Sequence, residues 1–439
     1  MRFWIKQGFA VCTENEPEQL DLYIEEGLIR RMFPHGSWQP PGDAVEISAA
    51  DALIMPGLID LHVHFRDPGH PDKEDTASGC QAAARGGFST VCCMPNTEPP
   101  LDNAENVLYV DRAGRQANGV HVLPVAALTR GQMGTLAVPF AELVELATVC
   151  KDLTGRGIAA VSEDGRSVDE AALMHDLMVS AANLGLPVFS HAEDTSMTGG
   201  AMHLGKRSAE LGVPGLAAEA EEIIVARDIL LAKATGCHLH FCHISTRGSL
   251  DLIRLGKQWG VSLTAETAPH YFTLTDEAVT IDSGLAKMNP PLRSAEDRKA
   301  IIEALADGTL DAIATDHAPH TWEEKTRSLK TSPFGIVGLE TAFSLAFTEL
   351  VETGILKVAD LARLMSRKPA EILGLNQRGV LQEGAPADIA IFDIRENFRI
   401  DPASFESKSR NMPFAGREVK GKTLCTLVDG KIVYQKTGR

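Results

Sequence analysis

No run in this 439-residue sequence approaches the roughly 18 to 20 consecutive apolar residues that a membrane span needs, and the opening stretch MRFWIKQGFAVCTENEPEQ has no signal-peptide core. Both absences lead to the expectation of a cytoplasmic protein. Cysteine is sparse, eight residues in all, and sits inside apolar runs such as TVCCMP and HLHFCHIS. That excludes a disulfide framework and reads as buried, reduced thiols, with the vicinal pair Cys92 and Cys93 packed in a strand. Positive charge is short: 42 Lys and Arg stand against 59 Asp and Glu, a net charge of −17. Nucleic acid and anionic lipid both want a basic face, so neither is expected as a partner. An anionic substrate would have to be captured by Arg or His placed locally. Repeats and low-complexity tracts are also missing. With 44% hydrophobic and 23% charged residues the composition is that of a globular chain able to bury a large core, which rules out disorder, collagen and coiled coil.

What is there, between about residues 54 and 375, is an alternation of short apolar runs with longer helix-compatible segments, the pattern of βα units on a parallel sheet. Eight strands are expected: Ile54–His64, Ser89–Met94, Val120–Ala126, Ile158–Ser162, Pro187–Ser190, His238–His243, Ser262–Glu266 and Ala312–Thr315. Helices are expected over Glu170–Asn183, Ala217–Thr235 and Ala295–Asp307, the last two stopping at Gly236 and Gly308. Arg85-Gly86-Gly87 reads as another helix end and not as a phosphate-binding loop. Eight units are the number that closes a (β/α)8 barrel of the TIM type. The flanks, 1–53 and 376–439, contain β segments without helices, including ADIAIFDI and TLVDGKIVYQ with Asp429-Gly430 as a hairpin turn. Neither flank has enough strands for a stable sheet, so the two are expected to meet in one small β-sandwich domain beside the barrel.

In such barrels chemistry gathers at the C-terminal ends of the strands. The first strand ends Asp60-Leu61-His62-Val63-His64, and alternation points His62 and His64 to the same side. The fourth ends Ser162-Glu163-Asp164, the fifth Ser190-His191-Ala192-Glu193, the sixth Cys242-His243 and the eighth Thr315-Asp316-His317. Each signal alone is bland, since a histidine after a strand is more often a core or capping group. Five such ends on one closed ring converge, and they supply N and O ligands for one or two zinc-like ions. A structural zinc knuckle in CHLHFCH is disfavoured, because no second cluster completes four ligands.

The stretch from Pro56 to Gly69, PGLIDLHVHFRDPG, resembles the amidohydrolase superfamily and closely its dihydroorotases. The resemblance continues through Met94-Pro95-Asn96-Thr97, Glu163-Asp164-Gly165, His191-Ala192-Glu193-Asp194, Cys242-His243-Ile244-Ser245-Thr246, the run from Lys287 to Arg293, Asp316-His317-Ala318-Pro319-His320 and Pro333-Phe334-Gly335. It implies that His62 and His64 bind one ion with Asp316, that His191 and His243 bind a second, and that Asp164 bridges them, with Glu163 as the adjacent alternative carboxylate. Hydantoinases and allantoinases use a carboxylated lysine as bridge. An aspartate here is similar to the bacterial dihydroorotases that dispense with it.

That family's reaction is the reversible, zinc-dependent closure of N-carbamoyl-L-aspartate to L-dihydroorotate in pyrimidine biosynthesis. The resemblance makes Asp316 the proton shuttle as well as a ligand. Arg66, two residues past His64 and on its face, offers a donor fork for the unreacting carboxylate, unless it pairs with Asp67 or Glu74. The resemblance adds Asn96 and His320 to that clamp, and Asn289 with the backbone at Phe334 and Gly335 to the ring amides. Asn96 could instead cap a turn. The polar stretch His320–Pro333 reads as a lid or as a solvated loop. Two other functions stand beside this one: a hydantoinase or allantoinase, and a non-catalytic partner of aspartate transcarbamoylase. A homo-oligomer is expected, and association with that transcarbamoylase is compatible with activity.

Overall fold

A single kink lets one stretch of chain serve two sheets. In the computed structural model, which describes residues 1–12, 16–151 and 153–436, the run expected as one strand from Ile54 to His64 is two, Leu53–Pro56 and Leu58–Val63. The first pairs with Arg2–Ala10 on one edge and Ile389–Asp393 on the other. Gly57 then turns the chain: its N–H donates to Asp388 O at 2.8 Å, and a Cβ there would lie 2.7 Å from Ser89 Cβ. Only glycine leaves that room. Both halves are wholly buried, so the apolar pattern runs through the break without marking it.

Eight parallel strands then follow one another in chain order and in space: Leu58–Val63, Phe88–Cys93, His121–Ala127, Ala160–Ser162, Val188–Ser190, Leu239–Phe241, Leu263–Thr267 and Ala312–Ile313. They form a nearly closed TIM-like barrel, and each overlaps its expected run. The first and eighth strands meet without a continuous ladder. A lone bridge links Val63 to His317, His64 N–H donates to His317 O at 2.8 Å, and the buried Asp60 carboxylate stitches the rest of the seam. Its Oδ1 accepts from Thr315 N and His62 N, both at 3.1 Å, and its Oδ2 from the Thr315 hydroxyl at 2.6 Å.

Ile59, Leu61, Cys92, Leu123, Val125 and Phe189 fill the barrel's interior cluster, while Cys93 joins the larger core with residues of the surrounding helices. The vicinal cysteines thus face opposite sides of one strand, as packing residues, and no cysteine is disulfide-bonded. The helices Thr76–Gly86, Glu219–Thr235 and Ala295–Asp307 end on Gly87, Gly236 and Gly308, each at positive φ. Among the described residues no helix is long and apolar enough to cross a membrane.

The N- and C-terminal segments supply a separate eight-stranded sheet. Its core includes Ile5, Leu22, Ile24, Ile54, Ile389, Ile391 and Leu427. Asp429 and Gly430, both at positive φ, turn Lys422–Val428 into Lys431–Gln435. Between Asp393 and Lys422 the chain leaves this sheet, and Ile400, Met412 and Phe414 pack with Met288, Leu292 and Ile336.

Candidate active site

The strand ends converge on Asp164. Its Oδ1 lies 3.3 Å from His62 Nε2, 3.3 Å from His243 Nε2 and 3.5 Å from His191 Nδ1, and its Oδ2 lies 3.4 Å from His64 Nε2. Asp316 Oδ1 is 3.3 Å from His64 Nε2 and 3.8 Å from His62 Nε2. All six groups are buried. Glu163, the alternative, faces away: its carboxylate accepts from Thr129 N, the Thr129 hydroxyl and Gly134 N. Successive residues leave a strand on opposite sides, so only one of the pair can face the centre.

The donor set fits divalent ions. Nδ1 of His243 is buried without a hydrogen-bond partner, and neither ring nitrogen of His62 makes a well-formed hydrogen bond although a carboxylate oxygen stands 3.3 Å from each; a folded protein tolerates such groups only where something else satisfies them. Sets of ligand atoms close enough to share an ion occur at His62, His64 and Asp316 and at His62, Asp164 and His243. Imidazole nitrogens and carboxylate oxygens are the ligands zinc takes. The electrostatics agree. Burial would raise the Asp164 carboxyl, but the charge on His62 and hydrogen bonds from His191, His243 and His62 hold it well below the usual carboxylate range. Asp316, likewise buried, is brought down to about 2 by His64, His62 and His243. The positive partners that hold both carboxylates ionised are the same four imidazoles.

Neighbouring groups orient the ligand rings. Asn96 Oδ1 lies 2.7 Å from His64 Nδ1, Glu266 Oε1 lies 3.3 Å from His62 Nδ1, and Glu193 Oε2 lies 3.4 Å from His191 Nε2. A ring held at one nitrogen presents the other to an ion. Asn96, read from sequence as a carboxylate clamp or a turn cap, thus meets a candidate ligand, and Asn289 Nδ2 donates to both Glu193 oxygens at 3.1 and 3.2 Å. Glu266 and Glu193 received no role from the sequence. The available signal was a carboxylate at or just past a barrel strand's C-terminal end.

Arg66 is half-buried beside this cluster, and neither salt-bridge alternative takes it. Asp67 accepts from Thr76 and Tyr109, and Glu74 from Ser78, Ser407 and Lys408 N. Arg66 Nε donates to Pro319 O at 3.3 Å, and its Nη2 lies 3.5 Å from His320 Nε2. His320, kept neutral by burial and by the cations Arg66, Lys325 and Lys73, donates through Nε2 to Phe334 O at 2.7 Å. Gly335 N–H is committed to Lys287 O at 3.0 Å. Gly335 also sits at φ 123, where a Cβ would lie 2.6 Å from Ala318 Cβ. Arg66, His243 and Asp316 carry φ of 57, 35 and 49. Such values are uncommon for residues with a Cβ and cluster at functional sites. A cleft of about 680 Å³ lined by Gly165, Glu193, Lys287, Asn289 and Phe334 lies alongside.

A parallel barrel with His and Asp at its strand ends is the architecture of metal-dependent hydrolases, and the amidohydrolase family model matches residues 53–433. The chain belongs to the amidohydrolase family. Its relatives include the dihydroorotase of Brevibacillus brevis, 47% identical over 438 residues with 98% of each chain covered, and that of Desulforapulum autotrophicum, 45% identical over 432 residues, again with 98% of each covered. Among solved structures, the L-hydantoinase (dihydropyrimidinase) from Arthrobacter aurescens superposes with a TM-score of 0.87 over 99% of this chain and 96% of that one. At 24% identity that likeness speaks for the fold alone.

Proposed function

We propose that this chain is a dihydroorotase, closing N-carbamoyl-L-aspartate to L-dihydroorotate and reopening it. The observation that carries the reading is the half-buried Arg66 guanidinium, unclaimed by Asp67 or Glu74, beside a cluster of four imidazoles and two carboxylates. His62, His64 and Asp316 would hold one Zn²⁺, His191 and His243 a second, with Asp164 between them. Bound zinc polarises a carbonyl oxygen and acidifies water, so that amide chemistry runs at neutral pH.

The protein's own groups do the rest. The Arg66 fork binds the substrate carboxylate that does not react. Asp316, ionised and fixed, takes a proton from the attacking water during ring opening and passes it to the departing ring nitrogen; ring closure reverses both transfers. Asn96 and His320 join Arg66 in the carboxylate clamp, and Asn289 with the Phe334 carbonyl meets the ring amides, the carbonyl through the lone pair that His320 leaves free. The intact ligand set argues against a purely structural partner of aspartate transcarbamoylase, though not against association with one. We further propose a cytoplasmic homo-oligomer.

One preparation tests this. Metal analysis should give one or two Zn²⁺ per chain. Cyclisation of carbamoyl-aspartate should disappear on chelation and return with zinc, and hydantoin and allantoin should not be opened. Activity untouched by a chelator, or turnover only of the other two rings, overturns the reading. Size-exclusion chromatography with and without the transcarbamoylase decides the assembly.

A further inference from the structure

Two lysines beside the candidate pocket are buried with their charge spent on backbone oxygens. Lys325, 0% exposed, donates from Nζ to Lys287 O at 2.9 Å, Pro333 O at 3.0 Å and Gly335 O at 2.7 Å. Those are all the donors an ammonium has. Lys287 Nζ donates to Leu329 O at 2.8 Å and Ser332 O at 2.7 Å and stands 4.5 Å from the centroid of the Phe334 ring. Burying an ammonium with no counter-charge is expensive, and a methionine would fill the same space. What methionine cannot do is hold three carbonyl oxygens at one point.

Two of those three flank Phe334. With the Pro333 and Gly335 carbonyls drawn to Nζ, the Phe334 carbonyl is left facing His320 Nε2, which itself lies 3.5 Å from Arg66 Nη2. Asn411 braces the same turn from outside, donating to Ala318 O and Gly335 O and accepting from His320 N. The polar stretch after Asp316 is therefore built around buried cations and is not simply solvated.

We propose that Lys325 is a positioning residue for substrate binding: by clamping the Pro333-Phe334-Gly335 turn it aims the Phe334 carbonyl and His320 at the substrate, while Lys287 ties down the outer part of the same loop. The proposal rests on the dihydroorotase reading. Its test uses zinc-loaded Lys325→Met, Lys325→Gln and Lys287→Met proteins with four readouts: KM, kcat, zinc per chain, and trypsin cleavage at the exposed Arg327 and Lys330.

Lys325→Met should raise KM for dihydroorotate at least about tenfold, with kcat within about threefold of wild type and zinc unchanged. Lys325→Gln, keeping two donors, should fall between. Both lysine-to-methionine variants should be cut faster within 326–331 than wild type. If Lys325→Met does not fold, Lys325→Gln and Lys287→Met carry the test. A KM within twofold of wild type, or a rise in KM accompanied by a parallel loss of kcat and zinc, overturns the proposal. A wild-type protein inactive on carbamoyl-aspartate would defeat the functional reading, whereas unchanged trypsin cutting of the variants would defeat the clamp by itself.

Discussion

Asp60 offers a sharp test of how the barrel closes. Two backbone amides, Thr315 N and His62 N, converge on its Oδ1, and the Thr315 hydroxyl points at Oδ2. Asp60→Ala would leave two buried N–H groups without acceptors at the seam between first and eighth strands, at about 1–3 kcal/mol each, so roughly 2–6 kcal/mol in total. Asp60→Asn behaves differently. Its single carbonyl oxygen can still take both amides, and its NH2 can donate to the Thr315 oxygen. It also removes a charge whose burial pushes the native carboxyl up to about 7. Asparagine should therefore stay within about 1 kcal/mol of wild type, by the near-neutral exchange expected when all partners remain satisfied. Urea unfolding followed by circular dichroism at about pH 8 measures this, with zinc content as a second readout because Asp60 orients the backbone at His62. Equal losses for the two variants would refute the argument, since charge and not the convergence of amides on one oxygen would then hold the seam.

Three further outcomes follow from the site and its surroundings. Asp316→Asn, assayed with zinc present, should slow both directions at least about 100-fold, the size of losing a general acid/base; turnover within a few-fold of wild type would refute that role. Arg66→Lys replaces a planar fork by a point charge and should raise KM about tenfold or more with metal content unchanged, which parallel KM and zinc measurements check. Burial, with Lys287 adding to it and Glu324 opposing, pushes the Lys325 ammonium down to about 7 from 10.5. Between those values the unfolded chain binds more protons than the folded one, so wild type should gain stability over Lys325→Met by about 1.4 kcal/mol per pH unit. Urea midpoints at about pH 7.5 and about pH 9.5 should show a relative gain of about 2–3 kcal/mol, and a flat difference would mean that folded Lys325 keeps its proton through this range and would count against the lowered value.

The barrel was legible because its strands are apolar runs with ligand-type residues at their ends, and because glycines 87, 236 and 308 mark where helices stop. Strands as short as Ala312–Ile313 could be placed because burial on both faces keeps their surroundings apolar. Convergence of His62, His64, Asp164, His191, His243 and Asp316 followed from the closed ring. The choice between Glu163 and Asp164 did not, since both lie at one strand end and only the partners Thr129 and Gly134 reveal which turns outward. The break at Gly57 was hidden because its cause, the side chain of Ser89 and the carbonyl of Asp388, lies elsewhere in the chain. Lys325 was invisible for a related reason: a lysine in a polar stretch reads as solvated, and its three carbonyl partners come together only in the folded loop.

The passage through Gly57 has a consequence for how the protein matures. The run that delivers His62 and His64 emerges early in synthesis, yet Leu53–Pro56 just ahead of it has one free edge until Ile389–Asp393 arrives, far downstream. The pair of imidazoles is thus moored by a segment the ribosome makes late. A nascent barrel can collapse before then, but its first strand hangs from a half-built scaffold, so competence to load metal should appear as a late event of translation.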